Sequence, residues 1–166
     1  MNIDIATIPD IGKEPLDYVL ESDLASHEEN ELWLEFGVWK GATVNKMAKA
    51  TKGLVYGFDS FEGLPEDWRP GFAAGAFNED GKLPLVEANV RLIKGWFEDT
   101  LEQFLVEHCR KTISLLHIDC DIYSASRFVL FSVAPFLKLG SVVVFDELIN
   151  YPGYDDGNGE LRALRE

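Results

Sequence analysis

The chain has 166 residues, of which 46% are hydrophobic and 27% are charged, a composition typical of one globular domain with a sizeable core. Its formal net charge of −14 repels phosphate backbones, which disfavours a protein that binds nucleic acid. No apolar run approaches the length of a membrane span, and the acidic N-terminus lacks the basic and apolar parts of a signal peptide. We therefore expect a cytoplasmic protein that binds neither nucleic acid nor a membrane.

Short apolar runs alternate with helical patterns along the chain. A leading helical segment is expected within residues 1–30, near residues 16–24. Strands are predicted at residues 32–36, 54–58, 90–93, 113–118 and 142–145. Strands that alternate with helices at this spacing indicate crossover units in a parallel sheet. The last two runs are almost continuously apolar, which is typical of strands covered on both faces.

Three helices are predicted between these strands. Their apolar positions recur at helical spacing, as at Val44, Met47 and Ala48 in the first of them. The expected boundary signals are a glycine after the first helix, a capping box before the second and a serine cap on the third, namely Gly53, Thr100 with Gln103, and Ser124.

The segment 61–83 differs from the rest of the chain because it is rich in proline, glycine and aromatic residues. Long loops of this kind are more often functional than idle. We expect it to lie above the sheet as a lid that helps to select the substrate and to exclude water.

Acidic residues follow four of the five predicted strands: Glu35, Asp59, Asp119 and the pair Asp146–Glu147. The carboxyl ends of parallel strands lie along one edge of a sheet, and ligands bind in the crevice there. Any one of these acids could simply start a turn or cap a helix. Because all of these acids are expected along the same edge, a shared site is favoured. Clustered carboxylates need cationic or hydrogen-bonding partners to stay ionised.

A glycine-containing turn follows the first predicted strand, in the form Glu35-x-Gly37-x-x-x-Gly41. Glycine lets the backbone approach a ligand without a Cβ atom in the way. The turn lacks the third glycine of the dinucleotide fingerprint, which serves a pyrophosphate. The pattern therefore suits a ligand without a phosphate.

Residues after the second and third strands extend this candidate site. Asp59 can accept both hydroxyls of a ribose, and Ser60 can add a backbone donor. Gly95 and Trp96 follow the third strand, where the indole is suited either to stacking on an adenine or to ordinary packing.

Five blocks of sequence together resemble the macrocin and mycinamicin O-methyltransferase-like family. The resemblance runs from about residue 31 to the end of the chain and keeps the blocks in order. They are WLEFGVWKG (33–41), YGFDSFEGLP (56–65), KGWFEDT (94–100), LHIDCDIYS (116–124) and FDE (145–147) followed by NYPG (150–153).

The resemblance implies a class I, Rossmann-like methyltransferase core with strand order 3-2-1-4-5 and S-adenosylmethionine as the methyl donor. It implies a divalent cation, usually magnesium, at Asp119, Asp146 and Glu147, with Asp119 also the catalytic residue. The expected acceptor is a hydroxyl of a small molecule such as a sugar. The expected cofactor contacts are Glu35, Gly37, Gly41, Asp59, Ser60, Gly95, Trp96 and Asp119.

Two features depart from the family pattern. Glu147 stands where the family often has Asp or Asn, which makes the carboxylate one methylene longer. The chain also stops at Glu166, within the helix expected after the fifth strand, so we expect a single domain, 1–166, that is truncated at its C-terminus. Residues 142–145 would then form an exposed apolar edge, unless a partner covers it.

The expected reaction is an in-line displacement in which alignment supplies much of the rate. A metal held by oxygen ligands would lower the pKa of the acceptor hydroxyl. Asp121 is a candidate general base, although a helix-capping role suits it equally, and His117 is more consistent with a satisfied core histidine.

Other functions stay open at this point. They are a non-catalytic or incomplete cofactor-binding module of the same fold, a nicotinamide-dependent oxidoreductase and, last, a metal-dependent hydrolase. A homo-oligomer is also compatible with the sequence.

Overall fold

The computed structural model describes residues 7, 9–149, 151–153 and 157–166. Helices and strands alternate through most of this chain. In order they are α1 (Pro15–Glu21), β1 (Glu31–Phe36), α2 (Ala42–Ala50), β2 (Val55–Asp59), β3 (Val90–Lys94), α3 (Phe97–Glu107), β4 (Thr112–Ile118), α4 (Tyr123–Val133), β5 (Leu137–Phe145) and α5 (Gly159–Arg165). A 3-10 turn, Ala134–Phe136, leads into β5. All five predicted strands are confirmed, with ends shifted by a few residues.

The five strands form one parallel sheet in the order β3-β2-β1-β4-β5. This is the predicted Rossmann-like order. The register aligns Phe36 with Phe58 on one side and with Ile118 on the other, and Ile118 with Phe145. The residues that follow these four positions therefore lie along the same edge of the sheet.

Helices cover both faces of the sheet. One apolar cluster joins Leu32, Leu34 and Phe36 of β1 to α3 and α4. The other joins Trp33 of β1 to α1 and α2. Successive side chains of a strand point to opposite faces, so a strand covered on both sides is apolar throughout. This explains why β4 is buried at every position after Thr112.

The glycine cap predicted at the end of α2 is wrong. Thr51 leaves the helix with extended dihedral angles, and Gly53 does not take the left-handed conformation of a glycine cap. The side-chain amide of Asn89 instead donates hydrogen bonds to the carbonyls of Ala48, Thr51 and Gly53 at 2.9–3.3 Å. Because a residue from a distant loop satisfies these carbonyls, the helix needs no local glycine motif.

The predicted starts of α3 and α4 are also wrong. α3 begins at Phe97 directly after Trp96, so Thr100 lies within the first turn and donates its hydroxyl hydrogen bond to the Trp96 carbonyl. α4 begins after Ile122, and the Ser124 hydroxyl donates to Glu66 at 2.7 Å instead of capping the helix. Turns between strand and helix start these helices earlier than their side-chain signals indicate. The leading helix is shorter than residues 16–24, because it ends at Glu21.

Segment 61–83 contains no helix or regular strand, as predicted. Its backbone is nevertheless joined by hydrogen bonds. Leu64 exchanges backbone hydrogen bonds with Gly75 and Ala76, and a short antiparallel bridge joins Arg69 to Phe72. The Phe61 carbonyl accepts the amides of two residues near the other end of the segment, Glu79 and Gly81. The segment is therefore a compact loop with its ends held together.

β5 lies at one edge of the sheet, but its apolar residues are less exposed than expected. Val144 and Phe145 are buried, whereas Leu139 near the start of the strand is fully exposed. Among the residues that the structure describes, no helix is long and apolar enough to cross a membrane.

Candidate active site

A cavity of about 310 Å³ opens at the carboxyl edge of the sheet. Loops after all five strands contribute to its wall, together with segment 61–83. Eight of the predicted site residues line it: Gly37, Asp59, Ser60, Gly95, Trp96, Asp119, Asp146 and Glu147. Glu35 and Gly41 do not line it. Asp121, the candidate general base for which a helix-capping role was equally suited, also lines the cavity.

Gly37 is required by the crossing of two loops. Its backbone has φ of +92°, and a Cβ atom there would lie 1.8 Å from the carbonyl oxygen of Asp119. No larger residue fits without backbone movement. The expectation that this glycine makes room for a ligand is therefore incomplete, because the atom it makes room for belongs to the protein. Gly41 sits in the left-handed region at the start of α2, against Pro84 and Val86.

Asp59 holds the glycine turn in place. Its Oδ2 accepts the amides of Val38 and Trp39, both at 2.8 Å, and its Oδ1 accepts the amide of Phe61 at 2.7 Å. The carboxylate is thereby satisfied by three backbone donors. The two-residue step to Phe61 is an Asx turn, a local signal that the sequence offers. The longer link to Val38 and Trp39 has no such signal.

Ser60, Gly95 and Trp96 occupy the cavity wall near this carboxylate. Ser60 is buried, and its hydroxyl oxygen accepts the Glu62 amide at 3.1 Å. Trp96 is half-buried at the start of α3, so its indole belongs both to the packing of that helix and to the cavity wall.

Three acids after β4 and β5 can present oxygen atoms to one point. Asp119, Asp146 and Glu147 each offer a carboxylate oxygen, and these atoms lie within 4.8 Å of one another. Burial, and then the neighbouring Asp146 carboxylate, raises the pKa of Asp119 well above its usual range. Burial, and then Asp121 and Asp146, raises the pKa of Glu147 to about 8.

The chemistry of this cluster fits a divalent cation. All three side chains supply hard oxygen donors, which magnesium prefers over nitrogen or sulfur. Oε2 of Glu147 is buried and has no hydrogen-bond partner among the described residues. A cation would compensate both this orphaned oxygen and the mutual repulsion that raises the pKa values.

Asp121 faces the same cavity from an unusual backbone conformation. It is buried, has φ of +63° and does not cap α4. Burial, followed by the Asp146 charge, raises its pKa to about 7, while the Arg69 guanidinium acts in the opposite direction. The helix-capping alternative is therefore wrong.

Glu35 and His117 form a buried pair behind the acids. Both side chains are completely buried, and His117 Nδ1 lies 2.9 Å from Glu35 Oε1. His117 Nε2 lies 4.0 Å from Asp146 Oδ1. Glu35 Oε2 and His117 Nε2 have no hydrogen-bond partner within the described chain. His117 is thus a core residue, as expected, but only one of its nitrogens is satisfied.

Glu160 of α5 was missed by the sequence analysis. Its side chain is completely buried, and Oε2 accepts the Glu147 amide at 3.2 Å. Burial, and then the Glu147 charge, raises its pKa well above the usual range, whereas the hydrogen bond from the Glu147 backbone opposes the rise. Its Oε1 has no hydrogen-bond partner among the described residues. The surrounding sequence GELRALRE is highly charged, so no local pattern marks this glutamate as buried.

The loop 61–83 contacts the glycine turn above the cavity. The rings of Trp39 and Phe77 meet edge to face with centroids 5.4 Å apart. The Nζ atom of Lys40 lies 3.7 Å from Oε1 of Glu79 in the loop. Leu64, Pro65 and Phe77 of this loop add apolar side chains to the cavity wall.

Comparison with known proteins gives consistent results. Residues 34–148 match a family model described as "Methyltransferase domain". The chain is 26% identical over 154 residues to demethyldecarbamoylnovobiocin O-methyltransferase of Streptomyces niveus, covering 78% of this chain and 57% of that protein. It is 28% identical over 158 residues to mycinamicin III 3''-O-methyltransferase of Micromonospora griseorubida, covering 80% of this chain and 60% of that protein.

A solved structure shares the fold. The crystal structure of CalS11, a calicheamicin methyltransferase, superposes with a TM-score of 0.69 and 25% identity, over 90% of this chain and 67% of that one. The family resemblance and the class I methyltransferase fold are confirmed. The chain spans less than two thirds of the length of the curated relatives named above.

Proposed function

The chain belongs to the methyltransferase-domain family, and we propose that it transfers a methyl group from S-adenosylmethionine to a hydroxyl of a small molecule such as a sugar or natural product, with help from magnesium. The observation that carries this proposal is one cavity in which a glycine turn held by Asp59 faces a cluster of three acids. Both relatives are O-methyltransferases by name, which supports the same reaction.

The methyl donor would lie between the glycine turn and the loops after β2 and β3. Asp59 Oδ1 accepts one amide and retains acceptor capacity for a ribose hydroxyl. Ser60, Gly95 and Trp96 would complete this side of the pocket. Gly37 would bring the backbone of β1 close to the donor, while Glu35 and Gly41 stay predicted contacts that the cavity wall does not include.

Asp119, Asp146 and Glu147 would hold the magnesium ion. When bound, magnesium supplies positive charge that lowers the pKa of a hydroxyl and orients it for attack. Asp119 is also the residue where the β1 and β4 loops touch, since its carbonyl packs against Gly37. This contact supports a metal site directly beside the proposed donor pocket.

Asp121 is the side chain best placed to accept the hydroxyl proton. It lines the cavity two residues after Asp119, and its pKa of about 7 suits a base that works near neutrality. The apolar wall from Leu64 and Phe77 would exclude water and favour alignment of acceptor and donor.

Calorimetric titration with S-adenosylmethionine tests the donor site. Asp59→Ala should abolish most of the binding heat, because it removes the acceptor of three backbone amides as well as the proposed ribose contact. Asp99→Ala, an exposed acid of α3 that does not line the cavity, is the matched control and should bind as the parent does. Unchanged binding by Asp59→Ala would contradict the site assignment.

Two further titrations separate the rival functions. Binding of NAD in preference to S-adenosylmethionine would support an oxidoreductase. Donor binding without methyl transfer to a panel of hydroxyl acceptors would support a non-catalytic module. Activity that survives exhaustive chelation would remove magnesium from the mechanism.

A further inference from the structure

A row of five aromatic rings connects the glycine turn to the loop after β5. Trp39 meets Phe77 edge to face, with ring centroids 5.4 Å apart, and Phe77 stacks on Phe72 with centroids 5.4 Å apart. The ring centroids of Phe72 and Trp68 are 5.3 Å apart, and those of Trp68 and Tyr151 are 5.9 Å apart. Trp39 and Phe77 line the cavity, whereas the other three residues do not. This aromatic row therefore begins at the cavity wall and continues outside it.

The rings of the aromatic row stay partly exposed. Trp39 is 43% exposed, and the other four residues are half-buried. Trp39 also has φ of +46°, a left-handed conformation that is unusual for a bulky residue, and Asp59 accepts its amide at 2.8 Å. The fold thus keeps a large apolar side chain accessible on the cavity wall, although burial would stabilise it more. Exposed aromatic surface that continues a cavity is typical of a binding surface.

The cavity wall is acidic and carries no basic side chain. Among the described residues, no lysine, arginine or histidine lines it, whereas six acids do: Asp59, Glu98, Asp119, Asp121, Asp146 and Glu147. Proteins bind phosphate groups with arginine or lysine side chains and with the N-termini of helices. α3 begins at this wall, but Glu98 and Asp99 in its first turn would repel an anion. A phosphate group therefore fits this wall poorly.

The two basic residues that adjoin the aromatic row already have partners. Lys40 Nζ lies 3.7 Å from Glu79 Oε1. The Arg69 guanidinium lies 4.2 Å from the ring centroid of Trp68, and its Nη1 donates to the Pro152 carbonyl at 2.8 Å. Arg69 Nε has no hydrogen-bond partner within the described chain, but this atom is buried and Arg69 does not line the cavity. Both cations thus contact the aromatic row and its loops, and neither lies on the cavity wall.

We propose that the acceptor is a glycoside without a phosphate group, whose sugar lies in the cavity and whose apolar, ring-containing aglycone lies along the aromatic row. The inference rests on the proposed function and names its substrate class. A sugar hydroxyl oxygen takes the methyl group while the sulfur–carbon bond of the donor breaks. The bonding electrons stay on sulfur, and the hydroxyl proton passes to Asp121. Because the sugar reaches the site without a nucleotide, a glycosyl transfer must precede this methylation.

Calorimetry with three forms of the same sugar tests this substrate class. The probes are the 4-nitrophenyl glycosides, the methyl glycosides and the UDP derivatives of glucose, galactose and N-acetylglucosamine. Each is titrated into the protein in the presence of S-adenosylhomocysteine and magnesium. For at least one sugar, the 4-nitrophenyl glycoside should bind about tenfold more tightly than the methyl glycoside, because its ring adds an aromatic contact. The UDP derivative should bind no more tightly than the methyl glycoside, because the wall has no base for its phosphates.

Phe77→Leu interrupts the aromatic row at the cavity wall and keeps an apolar side chain there. The ratio of the two glycoside affinities should fall from about ten to about one in this variant, and affinity for S-adenosylhomocysteine should not change. Phe131→Leu is the matched control, because it removes an exposed ring of α4 that lies outside the row. If Phe77→Leu does not fold, Trp68→Leu repeats the test at a ring outside the cavity wall.

Each outcome decides a different statement. Glycosides that do not bind, or that bind with a ratio near one for all three sugars, would overturn the role of the aromatic row. A parental ratio in the folded row variant would overturn it as well. A UDP derivative that binds more tightly than both glycosides would overturn the exclusion of phosphate. A parent that does not bind S-adenosylhomocysteine would contradict the proposed function, and glycoside ratios measured without it would still decide the substrate class.

Discussion

The two halves of the cavity satisfy their carboxylates in opposite ways. On the donor side, Asp59 accepts three backbone amides within 2.8 Å. On the acid side, the pKa of Asp119 is raised well above its usual range, and that of Glu147 is raised to about 8. The protein itself completes the first half, whereas the second half contains repulsion that a bound cation would relieve.

This difference has a consequence for stability. The donor side should be equally ordered with and without ligands, because its hydrogen bonds are internal. The acid side should respond to protons and to divalent cations, because only they neutralise its charge. The Glu35–His117 pair lies beneath both halves, since β1 leads into the glycine turn and β4 leads into Asp119.

The largest effect is expected from Glu35→Ala, which leaves His117 buried without its carboxylate partner. Removing the buried partner leaves an unsatisfied imidazole nitrogen and a cavity, which together typically lower the free energy of unfolding by about 3–5 kcal/mol. Urea denaturation measures this loss. Glu29→Ala, an exposed acid before β1, is the control and should change stability little. A Glu35→Ala variant as stable as this control would show that the pair contributes nothing.

Gly37→Ala should lower the free energy of unfolding by about 3 kcal/mol, because a Cβ atom 1.8 Å from the Asp119 carbonyl oxygen adds a clash to the backbone strain. Gly71→Ala separates these causes. Gly71 has nearly the same φ, +93°, but nothing lies within 4 Å of its Cβ position, so strain of about 1–2 kcal/mol is all that is expected. Chemical denaturation of both variants measures the difference. Equal losses of unfolding free energy in the two variants would show that the crossing of the two loops adds nothing to the effect of Gly37→Ala.

The metal-free protein should become less stable as pH rises from about 5 to 8. The folded-state pKa values of Asp121, about 7, and Glu147, about 8, lie above the ordinary values of 3.8 and 4.5. In this window the folded state therefore binds more protons than the unfolded chain, and stability declines as the groups ionise. Thermal unfolding in the presence of a chelator measures the decline.

Magnesium should restore most of the lost stability at pH 8 and have little effect at pH 5. Glu147→Gln should flatten the pH dependence, because it removes one of the carboxyl groups whose folded-state pKa is raised. A melting temperature that is independent of pH in the parent would contradict the repulsion between carboxylates assigned to the acid side of the cavity.

The smallest effect is expected at Arg69, whose guanidinium lowers the pKa values of both Asp121 and Glu147. Arg69→Gln should raise the pKa of Asp121 by less than about one unit, since the pair is separated and partly screened. Carbon-13 NMR titration of the Asp121 carboxyl measures the shift. Lys82→Gln, an exposed lysine of the same loop, is the control. A downward shift in Arg69→Gln would reverse the assigned sign.

Much of the site could be predicted because it follows from strand topology. Asp59, Asp119, Asp146 and Glu147 each close a strand, and the carboxyl ends of parallel strands share one edge. Side-chain partners were less accessible. Glu35 was expected at the cofactor, yet the register that pairs it with His117 places it behind the cavity. The role of Glu35 as a cofactor contact stays a prediction.

The wrong helix caps have a common physical origin. Thr100 and Ser124 have the side chains of cap residues, but the turns after β3 and β4 start their helices earlier. Asn89, 41 residues after Ala48 of α2 in the chain, satisfies carbonyls for which a local glycine was expected. Local propensity is weaker than the constraint of packing a helix onto a sheet, so boundaries follow the tertiary structure.

The amino-acid sequence is enough to predict the alternation of strands and helices, the parallel sheet and the edge at which the acids gather. These properties depend on hydrophobic periodicity and strand direction, which are local or topological. The folded chain was needed to see that Gly37 packs on Asp119, that His117 pairs with Glu35 and that Glu160 accepts the Glu147 amide. Such contacts depend on distances between residues far apart in the chain, and no local pattern encodes those distances.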